Sequence, residues 1–152
     1  MTKEALKEKL SSIQSNLSFD ETGELLTVTV DKADWLDFAT ALKSDTELAF
    51  DYLFCLTCID WKTQLTMVYH LDSTQYRHAI VVKSNLPTDA PAIETVSAIW
   101  RTAELHEREV YEMFGVNFIN HPDLRLLILP DGWEGKNPLR KDYSDPINMI
   151  KL

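Results

Sequence analysis

The densest run of chemistry-bearing residues is Glu104 to Glu112, ELHEREVYE. His106-Glu107 opens like the zinc-binding pattern HExxH, in which two histidines one helical turn apart ligate the metal. Position 110 is Val110, so the second ligand is missing and the pattern fails. Paired carboxylates also serve general acid–base chemistry. Here Glu104, Arg108 and Glu112 stand at successive i,i+4 spacings, which puts the arginine between two carboxylates on one helix face. That pattern predicts an ion network on a helix surface, better suited to registering a partner than to catalysis.

Cys55 and Cys58, in CLTC, raise metal and redox chemistry. A structural zinc site needs four ligands, and no second CxxC completes one. The surrounding DYLFCLTCIDW reads as a strand, on which residues three apart face opposite ways. A redox CxxC instead needs a helix N-terminus to acidify its thiol. Two reduced, packed cysteines are expected. His70 and His78 fall on neighbouring strands and read as packed or surface residues. No serine or cysteine has a recognisable nucleophile context. The four glycines, Gly23, Gly115, Gly132 and Gly135, make no phosphate-binding loop.

The other informative stretch follows that helix. His121-Pro122-Asp123 comes after Asn120, which tolerates a left-handed backbone, and should turn the chain sharply. Pro130, Pro138 and Pro146 then prevent a long helix and favour extended structure. Leu124, Leu126, Leu127, Ile128, Leu129, Trp133 and Leu139 are too apolar for a solvated tail. Trp133, Arg125, Arg140 and Tyr143 supply the residue types that anchor interfaces. Residues 123–152 are therefore expected to form an extended arm that wraps a partner.

The elements ahead of the arm are those of one domain, residues 1–122. Leu6, Leu10 and Ile13 mark an amphipathic first helix over 3–15, and ELLTVTV (24–30) a strand after Gly23. Asp34 is placed to cap a helix running to Lys43 that buries Trp35, Phe38, Ala39 and Leu42. Strands are expected at 52–61, 65–71 and 76–83, joined by short polar connectors that suit antiparallel hairpins. Pro91 should start a helix through Trp100, and a last helix should run from Glu104 to a stop at Gly115. The fold class is α+β: a mostly antiparallel sheet with helices packed on one face, followed by the extended C-terminal arm.

At 152 residues and 45% hydrophobic content, the chain can bury a real core. No apolar run approaches the roughly 18–20 residues that cross a bilayer, and the start has no signal-peptide centre. Membrane association is thus expected only through partners. The net charge of −9 lies entirely in residues 1–122, with 19 acidic and 10 basic side chains; residues 123–152 are balanced. An acidic body disfavours nucleic acid.

Glu107-Arg108-Glu109, Tyr111-Glu112-Met113-Phe114-Gly115, Phe118, His121-Pro122-Asp123-Leu124-Arg125, Trp133-x-Gly135 and Pro138-Leu139-Arg140-Lys141-Asp142 occur in order over about a quarter of the chain. Together they resemble the 30 kDa subunit family of respiratory complex I, the proton-pumping NADH:quinone oxidoreductase. The chain departs from the family pattern at three points. Glu112 stands where aspartate is more frequent, Leu126 replaces the second arginine after HPDL, and Lys136-Asn137 adds one residue before Pro138.

The resemblance implies a non-catalytic structural subunit with no cofactor, catalytic residue or metal ligand of its own. Iron–sulfur clusters, FMN and quinone would sit on partner subunits, chiefly the quinone-site (49 kDa-type) subunit and those carrying the terminal clusters. It implies a peripheral place on the cytoplasmic side of the bacterial inner membrane. The interface residues it implies are Glu107, Arg108, Glu109, Glu112, His121, Pro122, Asp123, Arg125, Trp133, Arg140, Lys141 and Asp142. An equivalent subunit of an energy-converting hydrogenase or a ferredoxin-fed complex fits the same residues. A free-standing thiol or metal module built on Cys55 and Cys58 is the reading from a different class.

Overall fold

The computed structural model describes residues 1–145, 147 and 149; positions 146, 148 and 150–152, and with them the expected role of Pro146, lie outside the described residues. The chain order is α1 (Lys3–Ile13), β1 (Ser18–Asp20), β2 (Leu26–Thr29), α2 (Trp35–Ser44), β3 (Tyr52–Asp60), β4 (Leu65–Asp72), β5 (Ala79–Leu86), β6 (Ala92–Glu94), α3 (Ala103–Phe114) and β7 (Asn117–Ile119). Five strands form one sheet in the order β1-β2-β5-β4-β3. All its pairings are antiparallel except β2 with β5.

Strand alternation explains the layering. On β4 the residues Leu65, Met67, Tyr69 and Leu71 are fully buried, and their neighbours Ile80, Val82, Leu26 and Val28 continue that face. Helices α1 and α2 cover it with Leu6, Leu10, Trp35, Phe38, Ala39 and Leu42 in one core cluster. The opposite face carries Cys55, Thr57, His70, Lys83 and Asn85, all half-buried or exposed. Cys58 instead points into the core, so the two thiols do diverge as the strand predicts.

Three local expectations are corrected. Asp34 sits at the start of α2, but its carboxylate takes the Gln14 amide at 2.8 Å rather than capping the helix. The third long strand starts at Ala79, because Ser73 to His78 closes a turn with Arg77 at φ 55°. No helix forms over 91–100. Ala92–Glu94 pairs in parallel with Asn117–Ile119 as a separate two-stranded sheet, burying Ile93 and Phe118. The amides of Thr95 and Val96 are held by the Ile119 carbonyl and the Glu107 carboxylate, so a helix there would forfeit both bonds.

Helix α3 lies along β3, where the Thr102 hydroxyl donates to the Leu53 carbonyl at 2.8 Å. It ends at Gly115, which adopts φ 76° and closes the last turn on the Tyr111 carbonyl. The arm then folds back over α3.

Candidate docking site

Arg108 and Glu112 carry the main geometry. Neither joins the expected i,i+4 ion network. Arg108 is almost fully buried and donates from Nε to the Arg125 carbonyl (3.1 Å) and from Nη2 to the Leu126 carbonyl (2.6 Å). Glu112, also buried, accepts the backbone N–H groups of Leu127 (2.8 Å), Ile128 (3.0 Å) and Leu129 (3.1 Å). A planar guanidinium presents a fork of donors and a carboxylate about four acceptor positions. An extended segment offers the complementary groups, and the burial of Arg108 and Glu112 makes the pairing stronger than an ion pair in water.

Glu107 holds a second junction. Its carboxylate is fully buried, accepts the Val96 N–H at 2.8 Å, bonds the Thr95 hydroxyl, and lies 3.7 Å from His121 Nε2. Burial pushes its pKa up from 4.5 to about 7, against the lowering effect of those two hydrogen bonds. His121 reads both sides of the turn, with Nε2 3.0 Å from the Glu104 carbonyl and Nδ1 3.0 Å from the Asp123 N–H. Asn120 takes the expected left-handed conformation, φ 65°. The Asp123 carboxylate grips Arg125 Nε at 2.9–3.0 Å, and that bond holds its pKa below the usual range.

The far end of the arm is tied to the body by a residue that sequence reasoning missed. Asp60, at the end of β3, accepts the Lys141 N–H at 2.8 Å and lies 3.6 Å from Arg140 Nε. Arg140 also donates to the Thr88 carbonyl (3.2 Å), and the Leu139 N–H to the Met113 carbonyl (3.0 Å). The local signal for Asp60 was its place before a turn, where it also takes the Lys62 N–H at 2.7 Å. Nothing local pointed to Lys141.

Between these ends, Lys136 lays its ammonium 4.3 Å from the Trp133 ring, shielding part of that half-buried indole. The extra residue of Lys136-Asn137 is absorbed by Asn137 at φ 48°, with its side chain against Gly115. Of the remaining expected interface residues, Glu109, Pro122, Lys141 and Asp142 are exposed. The arm's backbone is thus bonded to its own domain, and Leu124 packs against the core. The side chains of Leu127, Ile128 (63% exposed) and Leu139 (55% exposed) face outward.

Among the described residues, no three His, Cys, Asp or Glu side chains converge as a metal-binding group. No helix of the described residues is long and apolar enough to cross a membrane.

Residues 28–146 match the family model described as respiratory-chain NADH dehydrogenase, 30 Kd subunit. The chain is 38% identical over 147 residues to an NADH-quinone oxidoreductase subunit of Chloroherpeton thalassium, covering 95% of this chain and 60% of that protein. It is 41% identical over 99 residues to an F(420)H(2) dehydrogenase subunit of Methanosarcina mazei, covering 64% of this chain and 63% of that one. The chain therefore spans under two thirds of either relative. Its fold is similar to a chain of the membrane-bound sulfane sulfur reductase, an archaeal respiratory membrane complex. That match has a TM-score of 0.81 and 27% identity, over 93% of this chain and 85% of that one.

Proposed function

Because the chain belongs to the 30 kDa subunit family of respiratory-chain NADH dehydrogenase, we propose that it is a cofactor-free structural subunit of a membrane-associated NADH:quinone oxidoreductase. In this reading it catalyses no step itself. It fixes neighbouring subunits, chiefly the quinone-site and terminal iron–sulfur subunits, on the cytoplasmic side of a bacterial inner membrane, and so supports electron transfer from NADH to quinone with proton translocation.

The observation that carries this reading is the division of labour in the arm. Arg108 and Glu112 engage the backbone groups of residues 125–129, while Leu127 and Ile128 point away from the domain. An apolar side chain held outward on a fixed backbone loses little further entropy on docking and gains its burial. Such a patch favours a macromolecular partner over a small substrate.

A second reading keeps the structural role and changes the electron donor. The Methanosarcina relative is named for F(420)H(2) dehydrogenase, and the structural neighbour belongs to a sulfane sulfur reductase. Affinity purification from native membranes in mild detergent, with the co-purifying chains identified, tests both. NADH-binding and quinone-site chains support the first reading, other donor modules the second, and recovery of the chain alone contradicts both. The thiol-module reading is disfavoured by the divergence of Cys55 and Cys58 and by burial, which pushes the Cys58 thiol up to about 12.

A further inference from the structure

The arm and the body border a cleft of about 530 Å³. It is lined by Ala90 and Pro91 ahead of β6, by Phe114 at the end of α3, and by Lys136, Asn137 and Arg140 of the arm. Ala90 and Asn137 hold left-handed backbone there, φ 45° and 48°, which residues other than glycine keep only where the surroundings impose it. The rim is therefore held in one shape.

Arg140, with 15% of its side chain exposed, is the informative wall. A guanidinium carries five N–H donors. Among the described residues two acceptors bond it, the Phe114 carbonyl at 3.5 Å from Nη1 and the Thr88 carbonyl at 3.2 Å from Nη2. Each Nη nitrogen thus keeps a second N–H. Nε is shielded and makes no hydrogen bond among the described residues, lying 3.6 Å from Asp60 and from Asp142. Neither carboxylate completes the fork. Asp60 has its two oxygens on the N–H groups of Lys62 and Lys141, and the Asp142 side chain is 77% exposed to water. A charge this far out of water is costly while donors are left over, and a matching acceptor removes that cost.

We propose that Arg140 anchors an acidic side chain of a neighbouring subunit, seated in this cleft; the neighbour rests on the subunit reading above. The two oxygens of a carboxylate match the N–H groups left on the Nη pair, a geometry an ammonium cannot reproduce. Ala90, Pro91 and Phe114 give the methylene stem of such a side chain an apolar wall. The charge balance favours the same occupant. Lys136 and Arg140 line the cleft with two positive charges against Asp142, the acid among its described lining residues. Lys136 keeps its ammonium 4.3 Å from the Trp133 ring, so it adds field while Arg140 supplies the directed bonds. A directed charge contact sets the register of docking, which the apolar side chains of Leu127 and Ile128 cannot do alone.

Two measurements test this. The first needs only the purified full chain: NMR of the Arg140 Nε–H and the Asn137 side-chain amide during titration with propionate, against sodium chloride at equal ionic strength. The expected result is a saturable shift with propionate that chloride does not reproduce. Asp142→Asn, at an exposed position, should tighten propionate binding about threefold, because it removes the like charge beside the fork. Equal responses to the two salts, or no gain in Asp142→Asn, overturn the carboxylate site whatever the chain assembles with.

The second uses the membrane complex carrying Arg140→Lys, treated with a water-soluble carbodiimide, which joins an amine to a touching carboxylate with loss of water. The expected product, identified by mass spectrometry, links the introduced amine to an aspartate or glutamate of another chain. Lys136 of the wild-type complex, in the same cleft, offers a second amine if Arg140→Lys is not incorporated. Links to the chain's own acids alone, such as Asp60 or Asp142, overturn the neighbour as the source of the carboxylate. Recovery of the chain with no other subunit removes the neighbour and the subunit reading together, while the propionate titration still decides the carboxylate site by itself.

Discussion

Arg108 and Glu112, one turn apart on α3, grip opposite polarities of the same stretch of backbone. The arginine holds the carbonyls of residues 125 and 126, and the glutamate holds the amides of 127, 128 and 129. Two side chains thereby fix five consecutive residues that have no strand or helix of their own. Replacing Glu112 with Gln keeps the size but turns an acceptor-only group into a partial donor facing three N–H groups. The expected cost is roughly 2–4 kcal/mol in urea unfolding, since bonds to a charged group are worth more than neutral ones and the amides are left unpaired. Hydrogen exchange should localise it, with amides 127–129 losing protection first. Arg108→Lys should also weaken the grip, because an ammonium lacks the planar fork.

The raised pKa of Glu107 fixes the sign of a pH effect. Below pH 4.5 the carboxyl is protonated in both folded and unfolded chains and has no effect. Between 4.5 and about 7 the unfolded chain gives up its proton while the folded chain keeps it, so stability falls as pH rises. The full effect is about 3 kcal/mol and is complete above pH 7. Glu107→Gln should remove this slope. The difference between the two unfolding curves, measured from pH 4 to 8, checks it.

Asp60 works in the opposite direction. Its pKa is lowered chiefly by the Lys141 N–H, so its contribution is present above the ordinary carboxylate range and is lost as pH falls through the lowered value. Asp60→Asn removes the charge facing Arg140 and should cost about 1–2 kcal/mol. Faster exchange of the Lys141 amide, with amides 127–129 unaffected, would show that the two ends of the arm are held independently.

Gly115 is required by its backbone and by its neighbour. At φ 76° a side chain is strained, and an added Cβ would lie 2.6 Å from Asn137 Nδ2. Gly115→Ala should cost at least about 1 kcal/mol. Combining it with Asn137→Gly should recover the part due to the clash and leave the part due to φ, and thermal unfolding of the three variants separates them.

Strands β2 to β5 and the α1, α2 and α3 helices were legible because each carries a local signal, such as Leu6 and Leu10 in α1, Leu65 to Leu71 in β4 and Gly115 at the end of α3, whereas the three-residue edge strand Ser18–Asp20 was not anticipated. The segment 91–100 was not. Its strand is only three residues long and exists because Asn117–Ile119 lies beside it, a tertiary condition that Pro91 cannot signal. The same limit applies to the site. The spacing of Glu104, Arg108 and Glu112 put two of the functional residues on one helix, but spacing is equally compatible with partners on that helix and partners in the arm. Their burial, and the 81-residue separation of Asp60 from Lys141, appear only once the arm is folded back.

An arm whose backbone is satisfied at home should engage a neighbour through its outward apolar side chains. Ile128→Asp separates the two roles, because its amide remains available to Glu112 while the exposed side chain becomes an anion. The measurement is the amount of tagged chain recovered in the membrane complex, relative to wild type, with the thermal midpoint of the purified chain alongside. The expected result is an unchanged midpoint and at least a tenfold loss of incorporation. Full incorporation of a folded Ile128→Asp chain would contradict docking through this patch.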